Sequence, residues 1–307
     1  MFAFVVAIGG SIAEAMKLSF DLLASLVLGA CCVILLVAHR LAGSPNGYKR
    51  VAQQGATFFL GLNLMHAGYW MLQPVVRRCT RFGAAPTVIS WLSLLPAMGA
   101  SVVAATGHWG AAAWCLLVSA LLDVLDGAVA RAIGNTSAAG AVLDSVLDRY
   151  AEFIFFAGVF VYYRPHLLAQ LIALAALLGS FLVTYSTAKA EALGLTPPRG
   201  SMKRSDRLTV LILGAALTPF SIQWLETPGD RLAWPVLAAL ALIGVLANFS
   251  AIIRFTGLAR DARLATLSEK IPPPAPADSS NNFVRRQPEK FTAPRREVAS
   301  ATDPKHT

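Results

Sequence analysis

The sequence predicts an all-α integral membrane protein: a six-helix transmembrane core, preceded by an interfacial helix and an extra N-terminal transmembrane segment. Three observations predict it. Apolar runs of about twenty residues recur along the chain, each long enough to cross a hydrocarbon core of roughly 30 Å. The 307 residues are 56% hydrophobic and only 14% charged, too apolar for an ordinary soluble protein. No amphipathic period of 3.6 dominates the runs, as it would in a soluble helical protein.

Residues 2–16 are apolar but short, and they lack the basic flank of a secretory signal. A first span is predicted over 19–39, ending at His39 and Arg40, so that 1–50 forms an N-terminal hydrophobic segment. Residues 51–76 carry Gln53, Gln54, Asn63, His66 and Gln73, with Tyr69 and Trp70 near one end. That mixture suits a helix lying in the membrane interface, and 51–85 is read as this helix plus a basic stretch. Six spans follow near 86–106, 109–130, 141–163, 166–190, 207–224 and 233–254, within a core of 86–258. Tryptophans fall mostly near span ends, as aromatic belts do. Gly and Ala in "IALAALLGS" (172–180) allow close helix packing.

Basic residues crowd one side of these spans. Arg77, Arg78 and Arg81 precede the first and Arg131 follows the second. Arg199, Lys203, Arg204 and Arg207 lie between the fourth and fifth, and Arg254 and Arg260 follow the sixth. The positive-inside rule puts that side, and the C-terminus, in the cytoplasm of a cell membrane. The net charge of +9 points to anionic lipid headgroups; without interleaved exposed aromatics, nucleic acid is not an expected partner. Four cysteines, three of them in apolar runs, suggest neither disulfides nor a metal cluster. From about 259 the chain becomes rich in Pro, Ser, Asn and charge, and 259–307 is expected to be a disordered basic cytoplasmic tail.

One stretch conflicts with this apolar background. "DVLDGAVARAIGNTSAAGAVLDSVLD" places Asp123, Asp126, Asp144 and Asp148 within one pair of predicted helices. Asp123, Gly127 and Arg131 are spaced i, i+4, i+8 and line one helical face; Gly140, Asp144 and Asp148 repeat the spacing on the next helix. A short linker makes the two helices antiparallel, so the acids meet at the cytoplasmic end. Acids at a membrane boundary are costly and mark function by default. Hard oxygen ligands without His or Cys favour Mg²⁺ or Mn²⁺ over zinc. Gly127 and Gly140 leave room for a bulky ligand, and Arg131 offers a fixed charge for phosphate. A membrane cation transporter would also place acids in lipid, but its site would sit near the midplane, often at broken helices.

With Ala130, these residues complete Asp-x-x-Asp-Gly-x-x-Ala-Arg, eight residues, Gly-x-x-x-Asp-x-x-x-Asp. This pattern resembles the signature of the CDP-alcohol phosphatidyltransferases, over roughly residues 70–258. The resemblance implies transfer of a substituted phosphate from a CDP-linked lipid, such as CDP-diacylglycerol, to a polar alcohol, with release of CMP. It implies that Asp123, Asp126 and Asp144 hold two metal ions, Mg²⁺ or Mn²⁺, with Asp148 able to contribute. It makes Asp148 the general base and puts Gly127, Ala130, Arg131 and Gly140 against the cytidine diphosphate. A family-like homodimer would fit as well. Where the family often has Pro-Asn-x-x-Thr, this chain has Pro86-Thr87-Val88-Ile89-Ser90, leaving Thr87 and Ser90 as hydroxyls that could touch the nucleotide.

The acceptor is less constrained. Lys189, Arg199, Arg204 and Arg207 would surround the cytoplasmic mouth and suit an alcohol that carries phosphate. The arrangement is similar to the inositol-phosphate-using branch. That branch has two basic residues near the end of the fourth span, whereas here Thr187 stands at one position and Lys189 replaces an arginine. Glycerol 3-phosphate is the rival acceptor.

Overall fold

In the computed structural model, residues 2–43, 61–134, 137–196, 202–226 and 231–270 are described, and all of their regular structure is helical. The helices are α1 (Phe2–Leu41), α2 (Gly61–Arg81), α3 (Pro86–Ala105), α4 (Trp109–Ala132), α5 (Ala138–Tyr162), α6 (Leu167–Ala192), α7 (Arg204–Trp224) and α8 (Trp234–Lys270). Residues Met1–Leu264 form one unit, which holds the site, and Ala265–Thr307 another.

Among the described residues, six helices are long and apolar enough to cross a membrane: α1 from Glu14, α3, α4, α6, α7, and α8 as far as Leu264. The sequence led us to expect seven. The exception is α5, whose 25 residues would span but which carries Asp144, Asp148, Arg149 and Glu152. Two helices outrun their predicted spans. α1 is continuous from Phe2, through Glu14, Lys17 and Asp21, because those charged residues are compatible with helical backbone even where they interrupt the hydropathy. α8 runs through Arg254 to Lys270, since "GLARDARLATLSEK" is made of good helix formers before the prolines begin. Residues 51–60 of the interfacial segment, Arg199, and the tail beyond 270 lie outside the described residues.

α3 packs against both α4 and α5, and α4 also contacts α7. Small residues allow the closest approaches. A Cβ built on Gly158 of α5 would lie 2.1 Å from the carbonyl oxygen of Ser101 on α3, so only glycine fits there. Ala100, Ala104, Ala112, Ala113, Ala173, Ala176 and Ala247 line the main core around Trp109, Phe155, Phe156 and Tyr163. Asn248 of α8 donates to the Ala175 carbonyl of α6 at 2.8 Å. A second, small cluster of Ile89, Leu125 and Val129 gathers Val76 and Cys79 of α2 at the end where the acids lie.

α1 lies against α2, α4 and α7. At the far end from the acids its Asp21, 3% exposed, accepts the Ala111 backbone N–H at 3.2 Å and meets His108 Nδ1 at 3.0 Å. α4 has no side-chain cap from its own N-cap residue, so Asp21 supplies one from another helix. Lys17 donates to the Thr106 carbonyl, and Trp114 Nε1 donates to the Ala24 carbonyl at 2.8 Å.

Candidate active site

The acids are placed by the geometry of α4 and α5. Asp123 and Asp126 lie about two turns from the C-terminal end of α4, and Asp144 and Asp148 about two turns inside the start of α5. Ser137 fixes that start, its hydroxyl accepting the Gly140 N–H at 3.0 Å. α3 braces the pair: Ser119 Oγ of α4 donates to the Ser93 carbonyl at 3.0 Å, and Ile89 packs with Leu125 and Val129.

Asp123, Asp126 and Asp144 converge. One carboxylate oxygen from each lies within 4.8 Å of the others. Asp126 is buried, and its Oδ2 has no hydrogen-bond partner, which is costly for a carboxylate oxygen unless something else meets it. Three hard oxygen donors at this separation, beside a buried Asp126 with an unsatisfied oxygen, fit a divalent cation of the Mg²⁺ or Mn²⁺ type.

The fourth acid is tied differently. Arg204, the first residue of α7, sends Nη1 to Asp123 Oδ2 at 2.8 Å and Nη2 to Asp148 Oδ1 at 2.7 Å. α7 is fixed there by Asp206, which accepts the Lys203 backbone N–H at 3.1 Å. One turn on, Arg207 is 2% exposed and pairs with Glu152 of α5 at 3.3 Å and 3.5 Å. Lys189 is exposed in the last turn of α6.

The expected nucleotide contacts lie on the three helices that carry or brace this cluster. The Arg131 guanidinium lies over Gly127, where an added Cβ would meet Nη1 at 3.1 Å. Gly140 stands in the first turn of α5, and Ala130 follows buried Val129 on α4. Ser90 is buried beside the Asp126 carboxylate and donates to the Pro86 carbonyl at 3.1 Å, whereas Thr87 is exposed in the first turn of α3.

Sequence reasoning passed over two residues. Glu152 holds Arg207. Arg254, read only as a charge beyond the last span, lies inside α8 and is buried. Its Nη1 donates to Thr187 Oγ1 at 3.0 Å, its Nε has no hydrogen-bond partner, and Arg207 is within electrostatic reach. Thr187 is the position at which the sequence departs from the resemblance, and Arg254 brings positive charge to it from another helix. An arginine inside the apolar run "NFSAIIRFTG" was the available signal.

Comparison with known proteins agrees with this geometry. The family description "CDP-alcohol phosphatidyltransferase" matches residues 83–247. The chain is 35% identical to a phosphatidylinositol phosphate synthase of Mycobacteroides abscessus, over 56% of this chain and 74% of that protein. It is 33% identical to an archaetidylinositol phosphate synthase of Methanothermobacter thermautotrophicus, over 59% of this chain and 89% of that protein. Two crystal structures of Mycobacterium tuberculosis phosphatidylinositol phosphate synthase are similar at 26% identity, each over 60% of this chain. One has CDP-DAG bound (TM-score 0.53, 92% of that chain), and the other is in complex with manganese and citrate (TM-score 0.54, 87%). α1 lies outside the matched residues, but the membrane fold, the eight signature residues and the convergent acids all fall within the same resemblance. The chain belongs to the CDP-alcohol phosphatidyltransferase family and is a membrane transferase.

Proposed function

We propose that this protein transfers a phosphatidyl group from a CDP-linked lipid such as CDP-diacylglycerol to inositol phosphate, releasing CMP. The observation that carries the reading is the convergence of Asp123, Asp126 and Asp144, together with an Asp126 oxygen that has no hydrogen-bond partner. These three residues would hold two Mg²⁺ or Mn²⁺ ions, with Asp148 able to contribute. Bound metal would neutralise the pyrophosphate oxygens and stabilise the departing CMP.

The chain's own groups do the rest. Gly127, Ala130, Arg131 and Gly140, with Ser90 and Thr87, form the cytidine diphosphate seat: small residues let the nucleotide close on the helices, and Arg131 gives phosphate a fixed charge. Asp148 takes the proton from the acceptor hydroxyl as that oxygen attacks phosphorus. A direct displacement needs no covalent enzyme intermediate. The acceptor's own phosphate meets the basic mouth formed by Lys189 and Arg204, to which we add Arg254; Arg199, expected there too, lies outside the described residues, and Arg207 stands behind the mouth in its buried pair with Glu152. The names of the relatives favour inositol phosphate; glycerol 3-phosphate is the rival.

The positive-inside pattern supports a site and C-terminus facing the cytoplasm. α2 lying in the interface and a homodimer belong to the same reading, whereas residues 259–270, expected in a disordered tail, continue α8 as helix.

The test is CMP release by the purified protein in lipid, with CDP-diacylglycerol, Mn²⁺ or Mg²⁺, and either myo-inositol phosphate or glycerol 3-phosphate. Metal-dependent release with the first alone is expected. Release with glycerol 3-phosphate alone would reassign the acceptor, and release with neither would overturn the reaction.

A further inference from the structure

Arg204 does something that acceptor binding does not explain. Its two terminal nitrogens sit on two different carboxylates, Asp123 at 2.8 Å and Asp148 at 2.7 Å, so one guanidinium joins α4, α5 and α7. One of these acids belongs to the proposed metal cluster and the other is the proposed base. We infer that Arg204 is the site's built-in counter-cation: it holds Asp123 and Asp148 until a divalent ion displaces it, and is then free to meet the acceptor's phosphate. This role rests on the metal-dependent reading above.

The charges argue for displacement. Four carboxylates gathered at a membrane boundary repel one another, and the Arg204 guanidinium is in direct contact with two of them. Divalent ions bring more charge than Arg204 can, and beside them a guanidinium on Asp123 would be repelled. Asp148 has a further reason to lose it. Arginine stays protonated, so while Nη2 occupies Oδ1 that oxygen is not available to accept a hydroxyl proton.

Exposure separates Arg204 from its neighbour. The Arg204 side chain is 34% exposed, whereas that of Arg207 is 2% exposed and bound to Glu152. Arg207 and Glu152 form a fixed pair; Arg204 is the movable one. Because metal frees Arg204 and phosphate captures it, the two ligands would assist each other's binding, and reciprocally so.

The test is Mn²⁺ binding, read by electron paramagnetic resonance on the full chain in nanodiscs without CDP-lipid. Arg204→Gln removes the competing charge and is expected to bind Mn²⁺ about tenfold tighter than wild type, with Arg204→Lys between them. Inorganic phosphate is expected to tighten Mn²⁺ binding more in wild type than in Arg204→Gln. Equal or weaker Mn²⁺ binding by Arg204→Gln would overturn the role, because Arg204 would then be aligning the acids rather than competing for them. If Arg204→Gln does not fold, Arg204→Lys decides, since it keeps a charge at the start of α7 but cannot bridge two acids. Should Mn²⁺ bind equally to all three proteins, only the counter-cation role falls. Should it bind to none, the metal reading falls and takes this role with it.

Discussion

Asp126 and Asp148 bear different burdens, and substitution separates them. Asp126 is buried with an oxygen that no protein group satisfies. Asp126→Asn is expected to abolish high-affinity Mn²⁺ binding and to lower CMP release by about 10²-fold or more. Asp148→Asn removes the proposed base, so kcat should fall by roughly 10²–10⁴-fold while the KM for CDP-lipid changes little. Steady-state kinetics together with a Mn²⁺ titration would distinguish these losses. Arg254→Gln should raise the KM for the phosphorylated acceptor about tenfold and leave that for CDP-lipid unchanged. The four acids were legible because helical spacing and a short linker decide their meeting. The contacts of Arg204 and Arg254 were not: each reaches a partner more than sixty residues away, and no local period encodes that register.

At the scale of elements, the site depends on how closely α5 approaches its neighbours. Gly158 lets α5 lie against the Ser101 carbonyl of α3, several turns from the acids. Gly158→Ala would force the helices apart and should destabilise the protein by about 1–3 kcal/mol, seen as a lower Tm in detergent. Activity should fall too, because Asp144 and Asp148 ride on the displaced helix. The buried Arg207–Glu152 pair ties α5 to α7. Arg207→Ala, which strands Glu152 in a largely dry setting, should cost about 3–5 kcal/mol, and Glu152→Gln in the same chain should recover part of it. Hydropathy located these helices to within a few residues in α3, α4 and α6. It failed at α1 and α8, where charged residues mark an edge in composition but none in the backbone.

Across the whole molecule, α1 closes one end as the acids open the other. Asp21 caps α4 from outside it, and His108 and Lys17 add polar ties at the same turn. Asp21→Ala is expected to lower stability by about 1–2 kcal/mol, by removing the acceptor of a helix-start N–H, with CMP release per folded molecule unchanged. Thermal unfolding in detergent and activity normalised to folded protein would check both halves. The sequence offered an extra N-terminal span without a role, because a cap delivered between helices ninety residues apart has no local signature.

The junction of α1 with α4 also bears on modularity. Gly110 comes so near the backbone of Asp21 that a Cβ there would lie 2.2 Å from its carbonyl oxygen, and Trp114 depends on the Ala24 carbonyl. A shortened chain starting where the family resemblance starts, at residue 83, would keep every signature residue. It would lose the cap on α4, strand the Trp114 indole N–H in lipid, and turn a surface shaped for another helix toward acyl chains. The segment that carries the signature would then keep its motif and lack part of its packing, and it is expected to unfold at a lower temperature in detergent than the full chain.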